Sequence, residues 1–138
     1  SNDIYPILIS IIKKLNDGYD PSVLTIIYEL KLLKFLGISP NIDSCSICGN
    51  TTNILTVSVT DGGFICSNCY HEGKIYSKQV IQLLRMFIYI DIDNITKLDL
   101  KETTKKELSL FIDDYYDTFS GIYLKSKDFL KNMKILEN

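Results

Sequence analysis

Four cysteines are the residues of this chain best placed to do chemistry. Cys45 and Cys48 form one Cys-x2-Cys pair, 17 residues follow, and Cys66 and Cys69 form a second. Such a pair brings two sulfurs to one side of a tight turn, and Gly49, directly after the first pair, supplies the positive φ the turn requires. Two knuckles facing one another offer four thiolates at the ~2.3 Å a tetrahedral zinc takes. The spacing predicts a structural Zn2+ site with Cys45, Cys48, Cys66 and Cys69 as ligands. Disulfides would need an oxidising compartment, to which nothing in the chain points. A redox Cys-x2-Cys needs one pair at a strand-to-helix junction rather than two pairs around a hairpin. A catalytic zinc keeps one position open. His71 and Glu72 would serve it, but four thiolates already fill the shell, so His71, the single histidine, reads as a surface neighbour of the second knuckle.

The elements that must position the sulfurs follow from periodicity. Between the pairs, "ILTVSV" (54–59) alternates and is β-branched, "TDGG" (60–63) turns, and "FI" returns the chain to the second knuckle. Around this ribbon the period changes to that of helices. Ile4, Ile7, Leu8, Ile11, Ile12 and Leu15 form a first stripe, ending near "NDG" (16–18). Asp20 as N-cap, Pro21 at the first helical position and Gly37 at the far end bracket a second helix, apolar on most faces. Ser77 caps a third that runs through "VIQLLRMFIYI" (80–90) and is interrupted by "DIDN" (91–94). A fourth starts near Thr103 or Thr104, with Leu108, Phe111, Ile112, Tyr115, Phe119 and Ile122 on one stripe and Gly121 as a bend or end. A short basic helix is expected over 123–134. The aromatic stripe reads as core and "DDYYD" (113–117) as a solvated face. The expected fold is mostly α: a helical bundle (1–44 and 70–138) with an inserted four-cysteine zinc ribbon, a β-hairpin, at 45–69.

Bulk composition sets limits on function. The 138 residues carry 15 Lys and Arg against 17 Asp and Glu, a net charge of -2, so a grip on nucleic acid cannot rest on overall charge. With 46% hydrophobic residues, a real core is within reach. No apolar run approaches the ~18–20 residues of a membrane span, no signal peptide is legible, and a cytoplasmic protein is expected. Arg85 is the only arginine; Ala and Trp are absent. The start at Ser1-Asn2 without Met reads as a tag scar on an excised piece.

The order of segments resembles the C-terminal part of the RecO family of bacterial recombination mediators. The residues that carry the resemblance are Tyr28 to Gly37, Pro40, Asp43 to Gly49, Gly62-Gly63, Cys66 to Cys69 and the "LKSKDFL" of Leu124 to Leu130. The cysteine quartet alone is common to many zinc ribbons; the ordered set is more specific, and it spans roughly residues 20 to 135.

What the resemblance implies is a non-enzymatic, nucleoid-associated protein of DNA repair. The family anneals strands, binds RecR, and recognises the acidic, Phe-ended tail of single-stranded DNA-binding protein (SSB) to load recombinase. Its N-terminal OB-fold, through which single-stranded DNA is chiefly tracked, has no counterpart in this sequence, so either the barrel was removed or this is a divergent short form. An acidic tail with a terminal carboxylate needs an apolar pocket rimmed by cations. Lys31, Lys34 and Arg85 are the candidates, with a pairing of Arg85 to Glu29 as the alternative. Lys31 stands where the family commonly has Arg and lacks the bidentate fork. Lys125, Lys127 and Lys131 are the candidate DNA contacts. Two rival readings are a zinc-ribbon adaptor in transcription and a zinc-dependent enzyme using His71 and Glu72.

Overall fold

The computed structural model describes residues 4–120. Among them are helices α1 (Tyr5–Asn16), α2 (Pro21–Phe35), α3 (Lys78–Tyr89) and α4 (Glu102–Phe119), with strands β1 (Ile54–Ser58) and β2 (Gly63–Cys66) between α2 and α3. A 3-10 turn, Ile92–Asn94, follows α3. The mostly α fold with an inserted hairpin is the one the sequence predicts. The expected basic helix over 123–134, with Gly121 and Ile122, lies outside the described residues.

Helix α2 is the axis of the domain. Asp20 accepts a hydrogen bond from the Ser22 N–H at 2.8 Å, and Pro21 opens the helix without losing a needed donor. Val23, Leu24, Ile26, Ile27, Leu30 and Leu33 are all buried, which spreads apolar side chains around the helix. Accordingly α1, α3 and α4 all pack against it. Each such side chain contributes ~1.5–3 kcal/mol on burial.

The flanking helices are amphipathic. Ser77 accepts from the Val80 N–H at 3.3 Å and starts α3, whose Val80, Leu84, Phe87 and Ile88 face inward. In α4, Leu108, Phe111, Ile112, Tyr115 and Tyr116 are buried, and Phe111 meets Tyr76 edge-on at 5.9 Å.

Two local expectations shift. Helix α4 begins at Glu102, just ahead of the expected Thr103 or Thr104, and Thr104 is buried in its first turn, donating to the Gln79 carboxamide of α3 at 3.2 Å. On α1 only Ile11 is fully buried and Ile12 is 44% exposed. Among the described residues that helix packs chiefly on α2 and the 3-10 turn, so its contact stripe there is narrower than its apolar stripe.

Candidate metal centre

Each knuckle closes on its own first cysteine. The Cys45 carbonyl accepts from the Gly49 N–H at 2.9 Å, with Gly49 at φ 80°, a conformation that costs glycine nothing. The Cys66 carbonyl accepts from Cys69 and Tyr70 N–H groups at 3.2 and 3.0 Å.

Strand pairing brings the knuckles together. β1 and β2 run antiparallel with Thr56 opposite Ile65 and Val57 opposite Phe64. The outer edge of β2 is occupied by the segment leading into the first knuckle. Asn41 donates to Gly62 O at 2.9 Å, Phe64 to Asn41 O at 2.8 Å, and Ser46 to Phe64 O at 2.8 Å. Cys45 is thereby hung beside the strand that carries Cys66. Val57 and Phe64 belong to the main helical core, so one face of the hairpin is anchored in the bundle, while Cys45, Ile65 and Cys66 form a small cluster of their own.

The four sulfurs lie within 4.8 Å of one another, an arrangement that could hold a metal ion. Cys48 and Cys66 Sγ are 3.8 Å apart. A regular tetrahedron with ~2.3 Å metal–sulfur bonds has edges of about 3.8 Å, so the donor set fits zinc in size as well as in chemistry. Cys45 and Cys66 are buried, at 2% and 0% exposure, Cys48 is exposed and Cys69 is intermediate. Burial opposes charge on Cys45, yet hydrogen bonds from the backbone of Cys48, Cys66 and Ile47 outweigh it and hold the thiol at about 6. Cys69 is pushed up to about 12, first by its bond to the Cys48 sulfur and then by burial. The cluster thus favours thiolate at its protected corner.

His71 is no part of the quartet. Its side chain is 49% exposed, with Nδ1 3.2 Å from the Cys69 carbonyl and Nε2 3.9 Å from the Asp61 carboxylate. Glu72 is exposed as well.

Sequence reasoning did not find two residues that hold the site. Buried Thr56 donates from Oγ1 to the Lys74 carbonyl at 3.1 Å and accepts from the Tyr76 N–H at 2.9 Å, fastening the chain that leaves the second knuckle to β1. Asn41 is the other; the Pro40-Asn41 pair signals a turn, but nothing local says that its backbone will lie along β2.

The cations expected to bind a partner are not brought to one place by any contact among the described residues. Lys31 donates to the Ile88 carbonyl at 2.8 Å and to that of Ile90, so its ammonium is engaged at the C-terminal end of α3. Lys34 and Arg85 are exposed, and Arg85 forms no ion pair, with Glu29 or otherwise, among the described residues. Lys125, Lys127 and Lys131 lie outside the described residues. No helix among them is long and apolar enough to cross a membrane.

Fold and site together define a class: a helical domain with an inserted hairpin closed at its base by four cysteines. The family model described as "Recombination protein O C terminal" matches residues 1–128. A "DNA repair protein RecO" of Listeria monocytogenes serotype 4b is 40% identical over 138 residues, covering 98% of this chain and 54% of the relative. Proteins of the same name from Bacillus velezensis and Bacillus pumilus are 38% and 35% identical, again over 54% of their length. The chain belongs to the RecO C-terminal family, and it spans about half the length of the curated relatives it matches. No solved structure matches it.

Proposed function

We propose that this chain is the partner-binding part of a RecO-type recombination mediator, acting in strand annealing and recombinase loading with RecR and SSB. It works in the bacterial cytoplasm and catalyses no reaction itself. The observation that carries the reading is the match of a repair-protein family to a domain that brings four sulfurs close enough to enclose a single ion. The ion is Zn2+, and its role is to fix the hairpin against the bundle. A zinc enzyme is disfavoured because four thiolates leave no position for water, and His71 turns toward Asp61.

Exposed Lys34 and Arg85 are the better cations for an SSB tail, since the ammonium of Lys31 already serves α3. Contacts to single-stranded DNA through Lys125, Lys127 and Lys131 would be secondary and salt-sensitive. The test is titration of a fluorescent SSB tail peptide into the zinc-loaded chain, with a peptide lacking the final Phe as control. Saturable binding that disappears with the Phe, and weakens about tenfold, ~1.4 kcal/mol, in Arg85→Glu, is expected. Equal binding of both peptides, or of neither, would remove the tail from this domain.

A further inference from the structure

The four sulfurs are unequal in a patterned way. In each knuckle the first cysteine is buried and the second faces outward: Cys45 and Cys66 are sealed, while Cys48 is exposed and Cys69 partly so. The outward pair takes one sulfur from each knuckle. Their sulfurs lie within 4.8 Å of each other, close enough to meet with a small side-chain rotation. A solvent-borne oxidant therefore meets one particular edge of the tetrahedron, and that edge bridges the two knuckles instead of lying within either.

We propose that Cys48 and Cys69 form a peroxide-sensitive clasp: oxidation joins them as a disulfide, expels the zinc, and keeps the base of the hairpin closed by a covalent bond in place of the metal. The proposal rests on the zinc reading above. In the reaction the Cys48 thiolate attacks hydrogen peroxide, breaking its O–O bond to give a sulfenic acid and, with one proton, water. The Cys69 thiolate then attacks the Cys48 sulfur, the S–S bond forms, and hydroxide leaves and takes up a second proton. Two thiolates are oxidised by two electrons, and peroxide is reduced to two waters. Zinc, left with two sulfurs, departs as Zn2+, and the buried thiolates of Cys45 and Cys66 take up protons from solvent.

A bond within one knuckle, Cys45 to Cys48 or Cys66 to Cys69, would have to recruit a buried sulfur that the oxidant reaches last. The bridging pair also preserves what the metal did, because it still ties the segment after Asn41 to the strand end at Cys66. The hairpin stays pinned by the Asn41, Phe64 and Ser46 backbone bonds while the exchange happens.

The experiment treats the full zinc-loaded chain with stoichiometric hydrogen peroxide. Released zinc is followed with a chromogenic chelator, and free thiols are alkylated before non-reducing peptide mapping. The expected result is an equimolar release of zinc, a Cys48–Cys69 linked peptide, and alkylated Cys45 and Cys66, all reversed by dithiothreitol plus zinc. Disulfides confined to either knuckle, or zinc retained in excess peroxide, would overturn the clasp. Metal analysis of the untreated chain separates the two readings. A chain that takes up no zinc defeats the structural-zinc reading, whereas a zinc-bearing chain with the wrong pairing defeats the clasp alone.

Discussion

The Lys31 ammonium of α2 donates to the Ile88 carbonyl of α3 at 2.8 Å, and to that of Ile90 beyond it. The last turn of α3 carries no basic residue, so its unpaired carbonyls and the negative end of its dipole are met by a cation from another helix. Burial, then the charge of Lys34, holds the Lys31 amine below the ordinary lysine value.

Lys31→Met keeps most of the stem and removes the donors. It is expected to cost about 1.5–3 kcal/mol, the range of a hydrogen bond to a charged group, read as a lower urea midpoint with an unchanged slope. Arg85→Glu, on an exposed site, is expected to leave stability within ~0.5 kcal/mol. Equal effects of the two would deny Lys31 its capping role.

Alkaline pH should loosen the bundle through two buried phenols. Tyr115 donates to Ile38 O and Tyr116 to Glu29 O, each at 2.5 Å. Burial pushes Tyr115 up to about 12 and Tyr116 higher still, the latter helped by Glu29 and Tyr28. A folded pKa above the unfolded value means that the native state keeps a proton the unfolded chain gives up. The stabilisation is therefore complete below pH ~10 and is lost as pH rises from there toward 12. Tyr115→Phe should cost about 1 kcal/mol at neutral pH and flatten the decline above pH 10. A wild-type chain equally stable at pH 8 and pH 11 would contradict this.

Gly63 admits no side chain. A Cβ there would stand 2.7 Å from the Asn41 backbone N and closer still to its carbonyl oxygen, in the place where that segment crosses β2. Gly63→Ala should therefore push the first knuckle off the hairpin, with a loss of more than ~2 kcal/mol and weaker zinc retention. Gly73→Ala is the control, because open space surrounds that position and the cost there, more than ~1 kcal/mol, comes from its positive φ alone and not from crowding. Matching losses of zinc in the two would show that crowding at Asn41 is irrelevant.

On the zinc reading proposed above, chelation should unpin the ribbon. A tight chelator is expected to lower the melting temperature by ten degrees or more, about 3 kcal/mol for a chain of this size. Cys66→Ser should reproduce the fall without chelator. A melting curve indifferent to chelation would end the structural role.

Much of this was legible locally. The quartet, the caps Asp20 and Ser77, and the hairpin between "ILTVSV" and the second knuckle are each written within a few residues, because turn chemistry and side-chain period act over that range. Ile12 and Thr104 show where the local rule gives way: an apolar residue is buried only if a neighbour covers it, and a threonine near a helix start can lie inside the helix, its hydroxyl bonded to a neighbouring one.

What the sequence determined by itself, then, is that four cysteines close a hairpin inside a helical chain. Tertiary structure alone decided that Lys31 crosses 57 positions to cap α3, that Tyr115 and Tyr116 reach carbonyls 77 and 87 positions away, and that Asn41 seals the edge of β2. The physical reason is the same in each case. A buried polar group must find a partner wherever packing puts one, and which partner that is depends on how helices and hairpin settle against α2.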